Sequence, residues 1–175
     1  MAIHFPGNSE TNQLMRCLPD SWPLFFHKRR PRPIQLQAIP PILKGESAFL
    51  TAPTASGKTE AVVAPLYQRH ISFKREHLAV LYVAPTKALV NDIYYRLGDY
   101  LGVGKEFSGI CRYTGDHHDF REPAGSFALV ATPEALDSLQ LRHPQKLEHI
   151  RSIVVDEVHF IHGKARGEQL RFVLD

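Results

Sequence analysis

Ala52-Pro53-Thr54-Ala55-Ser56-Gly57-Lys58-Thr59 combines the residue types needed to grip a polyphosphate. A glycine-bearing turn lets successive backbone N–H groups converge on phosphate oxygens, and a helix opening directly after it adds the partial positive charge of its N-terminus. Thr54, Ala55, Ser56 and Gly57 form the cradle. Lys58 then reaches the β- and γ-phosphates as a mobile point charge, and Thr59 offers its hydroxyl to Mg²⁺. Apolar runs flank the loop, Ala48-Phe49-Leu50 before it and Ala61-Val62-Val63-Ala64 after it, which is the strand-then-helix context such a loop requires. The competing reading is a surface turn capped by a lysine.

Polyphosphate chemistry also needs a carboxylate to hold Mg²⁺ and a second to position the attacking water. Ile153-Val154-Val155-Asp156-Glu157 supplies both at the end of an apolar run. Asp156 is the expected Mg²⁺ carboxylate and Glu157 the expected general base. In parallel α/β sheets, ligands bind outside the carboxyl ends of the strands, so the pair is expected beside the loop. Alternatively, the two acids open a solvated turn or cap a helix.

The elements that must position these groups follow from the apolar pattern. Strands are expected over Ser47–Ala52, Ala79–Ala84, Gly109–Tyr113, Phe127–Ala131 and Ser152–Val155. Several are apolar almost throughout, as strands buried on both faces are. Leu89, Ile93, Leu97 and Leu101 recur every fourth residue and mark one face of a helix. The alternation predicts an α/β fold of βαβ units around a parallel sheet. Thr59–Ile71 also reads as helical although Pro65 lies inside it; an interior proline costs about 3 kcal/mol, so a kink is expected there. Residues 1–33 are Pro-rich, and an N-terminal extension, 1–30, is expected to precede a single domain over 31–175.

Composition narrows the class. At 175 residues, 43% hydrophobic and 22% charged, the chain can bury a core and is not of disordered type. A net charge of +3 suits a polyanionic partner. Cys17 and Cys111 make no spaced framework, which points to a reducing compartment. No apolar stretch has membrane-spanning length and the N-terminus has no signal pattern. The expectation is an intracellular protein, cytoplasmic or nucleoid/nuclear, without a membrane partner. His117-His118-Asp119 has no second ligand cluster at metal-site spacing and reads as a solvated loop. Lys28-Arg29-Arg30-Pro31-Arg32 is a targeting address, a phosphate patch or a solvated run. Trp22, Phe25 and Phe26 stack on a base or pack the N-terminal segment onto the sheet.

Asp156-Glu157-Val158-His159 resembles motif II of the DEAD/DEAH-box helicases of superfamily two. Other segments fall into the family order. Pro33-Ile34-Gln35-Leu36-Gln37-Ala38-Ile39-Pro40 looks like the Q motif, which implies that Gln35 reads adenine. The 52–59 loop matches motif I with Ala in the first position. Pro85-Thr86-Lys87-Ala88-Leu89 is similar to motif Ia, while Thr114-Gly115-Asp116 and Thr132-Pro133-Glu134 look like later nucleic-acid contacts, the second being motif Ib. The resemblance spans roughly residues 31–171. Its finer details, Thr132–Leu136 and His159 with Gly163-Lys164-Ala165-Arg166-Gly167, look most like the large helicase-related (Lhr) group and its Ski-like relatives. The family also often carries a proline where Pro65 stands.

The resemblance implies the first RecA-like, ATP-binding domain of a motor, a three-layer α/β P-loop fold that stops after motif II and is incomplete at its C-terminus. It implies ATP and Mg²⁺ as ligands and DNA or RNA as the track. Pro85, Thr86, Lys87, Gly115, Asp116, Thr132, Pro133, Glu134 and Arg166 would hold the sugar-phosphate backbone. His159 would couple the γ-phosphate site to movement of a second RecA-like domain. Hydroxyls, backbone amides and helix N-termini suit backbone contact without base reading, although Thr132-Pro133 also reads simply as an N-cap with proline at N1. The motif III strand and the second domain with its arginine fingers have no match in this sequence, so the chain alone is expected to hydrolyse ATP negligibly and not to unwind a duplex. Two functions follow: the ATP-binding half of a nucleic-acid-dependent ATPase, or a truncated non-catalytic module that binds nucleic acid or protein and uses nucleotide as a structural ligand.

Overall fold

A computed structural model describes residues 9–27, 29–71, 78–101, 109–116 and 126–161, with side chains to residue 159. The chain forms two compact units, Met1–Ile71 and Ser72–Asp175.

The first unit is helical: α1 (Ser9–Cys17), α2 (Trp22–Phe25), α3 (Pro33–Lys44) and α4 (Lys58–His70). α3 ends where Gly45 adopts φ 92°, and the Glu46 N–H then bonds the Pro41 carbonyl at 3.1 Å, the closing bond of a Schellman turn. A Cβ on Gly45 would lie 2.8 Å from Arg69 Nη2, whose partner nitrogen Nη1 donates to the Ile42 carbonyl at 3.2 Å. That bond stitches α3 to α4. Gln68 of α4 accepts from the Asp20 and Ser21 N–H groups at 2.9 and 3.1 Å and donates to the Asp20 carboxylate at 2.7 Å. Trp22, Phe25 and Phe26 are all buried, with Phe25 edge-on to Tyr67 of α4 at 6.2 Å between centroids. Burying a phenylalanine is worth about 1.5–3 kcal/mol, so packing accounts for these rings, and the partner within this unit is a helix. One continuous helix runs through Pro65, whose ring is buried.

The expected strand over Ser47–Ala52 does not form: residues 46–53 have no regular structure and Phe49 is 80% exposed. An apolar run becomes a strand only when a neighbour completes its ladder, and among the described residues no ladder includes it.

The second unit is a parallel sheet. β1 (Val80–Val83), β2 (Ile110–Tyr113), β3 (Ala128–Ala131) and β4 (Ser152–Val155) lie in the order β2-β3-β1-β4. All four match expected strands, three of them shortened by one residue at an end or at both. The strands that lie inside the sheet, β1 and β3, are buried at every position. Side-chain alternation assigns the faces. Leu81, Val83, Cys111, Tyr113, Leu129 and Ala131 pack with Ala135, Leu136 and Leu139 of α6 (Pro133–Arg142). The opposite face meets α5 (Lys87–Leu101), where Arg112 donates to Asn91 Oδ1 at 2.7 Å and its guanidinium lies 4.6 Å from the Tyr94 ring centre. Ile93 and Leu97 of α5 are buried as the spacing predicted, Leu89 and Leu101 are half-buried, and Val90 joins the buried face. Helix, sheet and helix make three layers. β4 borders β1 and carries a half-exposed Ile153; it is followed by a short helix, α7 (Val158–Ile161). No described helix is long and apolar enough to cross a membrane.

Candidate functional site

In the first unit the 52–57 turn leads straight into α4. Gly57 is its N-cap with φ 90°, and Ala55 has φ 58°, conformations that bend the loop and leave N–H groups at the helix start without intrahelical partners. Two side chains from the start of α3 hold this loop. Arg32 donates to the Ala55 carbonyl. Gln35 Nε2 donates to the Gly57 carbonyl at 3.1 Å, while its Oε1 accepts from the Arg32 N–H at 2.8 Å. Gln35 is only 5% exposed, so it is a capping residue of α3 and a tether of the loop. One lone pair on Oε1 and one hydrogen on Nε2 stay uncommitted to these bonds. Lys58 Nζ donates to the Ala52 and Pro53 carbonyls at 2.7 and 3.2 Å, which folds its ammonium back over the turn. Thr59 is buried at the first turn of α4. Ser56 Oγ is buried without a hydrogen-bond partner, and a buried hydroxyl left so is costly unless a ligand completes it. Thr54 is exposed.

In the second unit, the parallel order brings three expected segments to the same edge of the sheet. Thr86 and Lys87 follow β1, Thr114–Asp116 follow β2 and Thr132–Glu134 follow β3. Thr86 Oγ1 accepts from the Leu89 N–H and Thr132 Oγ1 from the Ala135 N–H, each at 3.3 Å. Both threonines therefore cap helices, and Pro133 sits at N1. Together these segments line an open cleft of about 590 Å³ that includes Pro85, Thr86, Lys87, Gly115, Thr132 and Glu134. Lys87 Nζ pairs with Asp116 Oδ2 at 2.6 Å, both groups more than half exposed. The cleft also takes in Ser138 and Arg142, which the sequence reading missed. With Glu134 they stand at i, i+4 and i+8 on α6, a spacing that puts them on one helical stripe.

The acidic pair follows β4. The Asp156 N–H donates to the Val83 carbonyl at 2.8 Å and extends the β1–β4 ladder by one bond. Its carboxylate is held at both oxygens: Oδ1 accepts from the Glu157 N–H at 2.9 Å and Oδ2 from the Tyr82 hydroxyl at 3.0 Å. Glu157 has φ 49°, a left-handed conformation unusual for a non-glycine residue. Glu157 Oε2 lies 3.3 Å from His159 Nδ1 at the start of α7. The pair thus leaves its strand on a sharp, hydrogen-bonded turn.

Arg166, the segment Gly163–Gly167 and His117-His118-Asp119 lie outside the described residues. The phosphate loop belongs to the first unit and Asp156 and Glu157 to the second. The Thr59 hydroxyl in the first unit and the Asp156 carboxylate in the second are each hard oxygen donors of the kind magnesium takes. Among the described residues, no group of three or more His, Cys, Asp or Glu side chains is arranged to hold an ion alone, and Mg²⁺ is commonly bound by one or two carboxylates together with substrate phosphates.

Residues 32–175 match the protein family described as DEAD/DEAH box helicase. The chain is 34% identical over 135 residues to the ATP-dependent DNA helicase Hel308 of Pyrococcus horikoshii, a match that covers 76% of this chain and 18% of that protein. It is 31% identical over 138 residues to DEAD-box ATP-dependent RNA helicase 41 of Arabidopsis thaliana, covering 73% of this chain and 27% of the other. Among solved structures, the DEAD-box helicase Mss116 bound to ssRNA and UDP-BeF superimposes with a TM-score of 0.78 at 21% identity, over 98% of this chain and 38% of that one. The yeast DEAD-box splicing factor Prp28 gives 0.73 at 24% identity, over 91% and 40%. The chain therefore spans well under half the length of these relatives.

Proposed function

Because this chain belongs to the DEAD/DEAH box helicase family, we propose that it is the ATP-binding part of a nucleic-acid-dependent ATPase that couples hydrolysis to movement along, or unwinding of, DNA or RNA. The helicase unit is taken as residues 31–175, with 1–30 as an extension. The observation that carries this reading is the 52–59 loop, tied to the start of α3 by Arg32 and Gln35 and containing a buried serine hydroxyl without a hydrogen-bond partner.

The roles follow from the chemistry of each group. Backbone amides of 54–59 and the start of α4 bind the β- and γ-phosphates, and Lys58 leaves its two carbonyl partners to join them. Gln35 turns its uncommitted lone pair and hydrogen to the adenine edge. Thr59 and Asp156 would hold Mg²⁺, which when bound with the nucleotide neutralises charge on the β- and γ-oxygens. Glu157 accepts a proton from the attacking water, and its contact with His159 ties that carboxylate to α7 and to the coupling with a second RecA-like domain. The cleft over β1, β2 and β3 receives the sugar-phosphate backbone: capped helix N-termini and Lys87 bind phosphate without reading bases, as a motor on arbitrary sequence requires. Arg166 adds charge to the same track. The Asp-Glu-Val-His variant and the Thr132–Leu136 segment support a place near the Lhr and Ski-like group.

Arginine fingers from a partner domain raise phosphoryl-transfer rates by about 10³–10⁵, so the 175-residue chain alone turns over ATP negligibly. The test is ATP turnover by this chain and by one continued past Asp175 into a second RecA-like domain, each with and without single-stranded DNA or RNA. Stimulation in the longer chain only, lost on Lys58→Ala, is the expected result, and the better activator identifies the track. Strand-stimulated turnover by the short chain sinks the need for a second domain. No turnover in either points instead to a non-catalytic binding module.

A further inference from the structure

A carboxylate that receives a metal ion must be aimed. Rotation of a carboxylate about its last side-chain bond is broad and roughly two-fold, so an untethered Asp156 would present its oxygens over a range of directions. Two bonds remove that freedom. One comes from the adjacent Glu157 N–H. The other comes from the neighbouring strand, where the Tyr82 hydroxyl reaches Asp156 Oδ2 at 3.0 Å.

The sheet makes this second bond possible. β1 and β4 run parallel with Tyr82 opposite Val154. Side chains two residues apart share a face, so Asp156 projects on the same side as Val154 and Tyr82, diagonally one step beyond Tyr82. A diagonal neighbour is within reach of an aromatic side chain, and the length of the phenol carries its hydroxyl from inside the sheet to the strand end. Tyr82 is 4% exposed, so its ring is held by packing and the hydroxyl has little freedom to move. Neither Phe nor Leu at this position would cost the core its apolar contact, yet neither has a donor. A carboxylate has about four lone-pair sites; with one protein bond on each oxygen, both oxygens still have capacity for a hydrated cation.

We propose that Tyr82 is a positioning residue for the metal carboxylate: its hydroxyl fixes Asp156 in the orientation that receives Mg²⁺ with the nucleotide. This inference rests on the reading of Asp156 as the magnesium ligand. Partners that orient a metal ligand are typically worth about 10- to 100-fold in metal affinity, and the lower end applies here because Glu157 N–H still holds the other oxygen.

The experiment measures binding of a fluorescent, slowly hydrolysed ATP analogue to the chain, once with Mg²⁺ and once with EDTA. The ratio of the two affinities isolates the metal-linked gain from phosphate-loop binding. Tyr82→Phe is expected to lower that ratio about tenfold and to leave the EDTA affinity unchanged, which also reports an intact fold. Asp156→Asn is expected to remove most of the gain. Val154→Ala, which loosens the same face without touching the hydrogen bond, is expected to keep the full ratio. A Tyr82→Phe ratio equal to that of the unaltered chain, with Asp156→Asn reduced, overturns the role of Tyr82 alone. An equal drop in Val154→Ala also overturns it, since packing would then be the cause. No metal-linked gain in the unaltered chain, or none lost on Asp156→Asn, overturns the reading of Asp156 and this inference with it.

Discussion

Gly57→Ala tests how the phosphate loop is held. At φ 90° an alanine is strained whatever space surrounds it, at roughly 1–2 kcal/mol. The added Cβ would also stand 2.3 Å from Gln35 Nε2 and 3.2 Å from its Cδ. Gln35 can swing away, but it then gives up its bonds to the Gly57 carbonyl and the Arg32 N–H, each worth about 1 kcal/mol net. The expected cost is about 2–4 kcal/mol in all. The chain has a single tryptophan, Trp22, buried beside Phe26 at 5.2 Å. Urea unfolding followed by its fluorescence therefore reports on the helical unit that carries the loop. Gln35→Ala alone should cost about 1–2 kcal/mol, since it removes the same two bonds. In the double variant the clash is gone and the bonds are lost only once, so the two costs should fall short of additivity by about 1–2 kcal/mol. Additivity within about 0.5 kcal/mol, or a Gly57→Ala cost below that value, would refute the argument that Gln35 and Gly57 are one unit.

Two more outcomes follow from the second unit. Thr132→Ala removes the side-chain acceptor of the Ala135 N–H and should lower stability by about 1 kcal/mol, while Thr132→Ser keeps most of it; thermal unfolding of the two side by side checks this. Asp116→Asn breaks an ion pair whose groups are 54% and 65% exposed, so the unfolding midpoint should barely move. The same change releases Lys87, which lines the cleft, from its carboxylate partner, so single-stranded DNA or RNA should bind a few-fold more tightly, with a steeper dependence on salt in anisotropy titrations.

Much of this protein is legible along the chain because local chemistry is enough to specify it. The 52–59 loop, the Asp156-Glu157 pair and the cap at Thr132 are short segments whose residue types and spacing are recognisable without any distant partner. The buried strands were visible as apolar runs, since a strand covered on both faces needs nothing else. Family membership follows from the order of such segments.

What tertiary structure decided is whatever depends on a partner distant in sequence. Ser47–Ala52 has strand composition but no ladder among the described residues, and propensity cannot replace missing hydrogen bonds. Gln35 carried a motif, yet only the packing of α3 beside the loop showed both ends of its amide engaged there. Trp22, Phe25 and Phe26 admitted stacking or packing until burial decided for packing. Tyr82 and Asp156 are 74 residues apart; along the chain one is part of the apolar run Ala79–Ala84 and the other is the expected metal carboxylate. Their hydrogen bond exists because β1 and β4 pair in one register, and register is fixed by the whole sheet burying its faces together rather than by either strand alone.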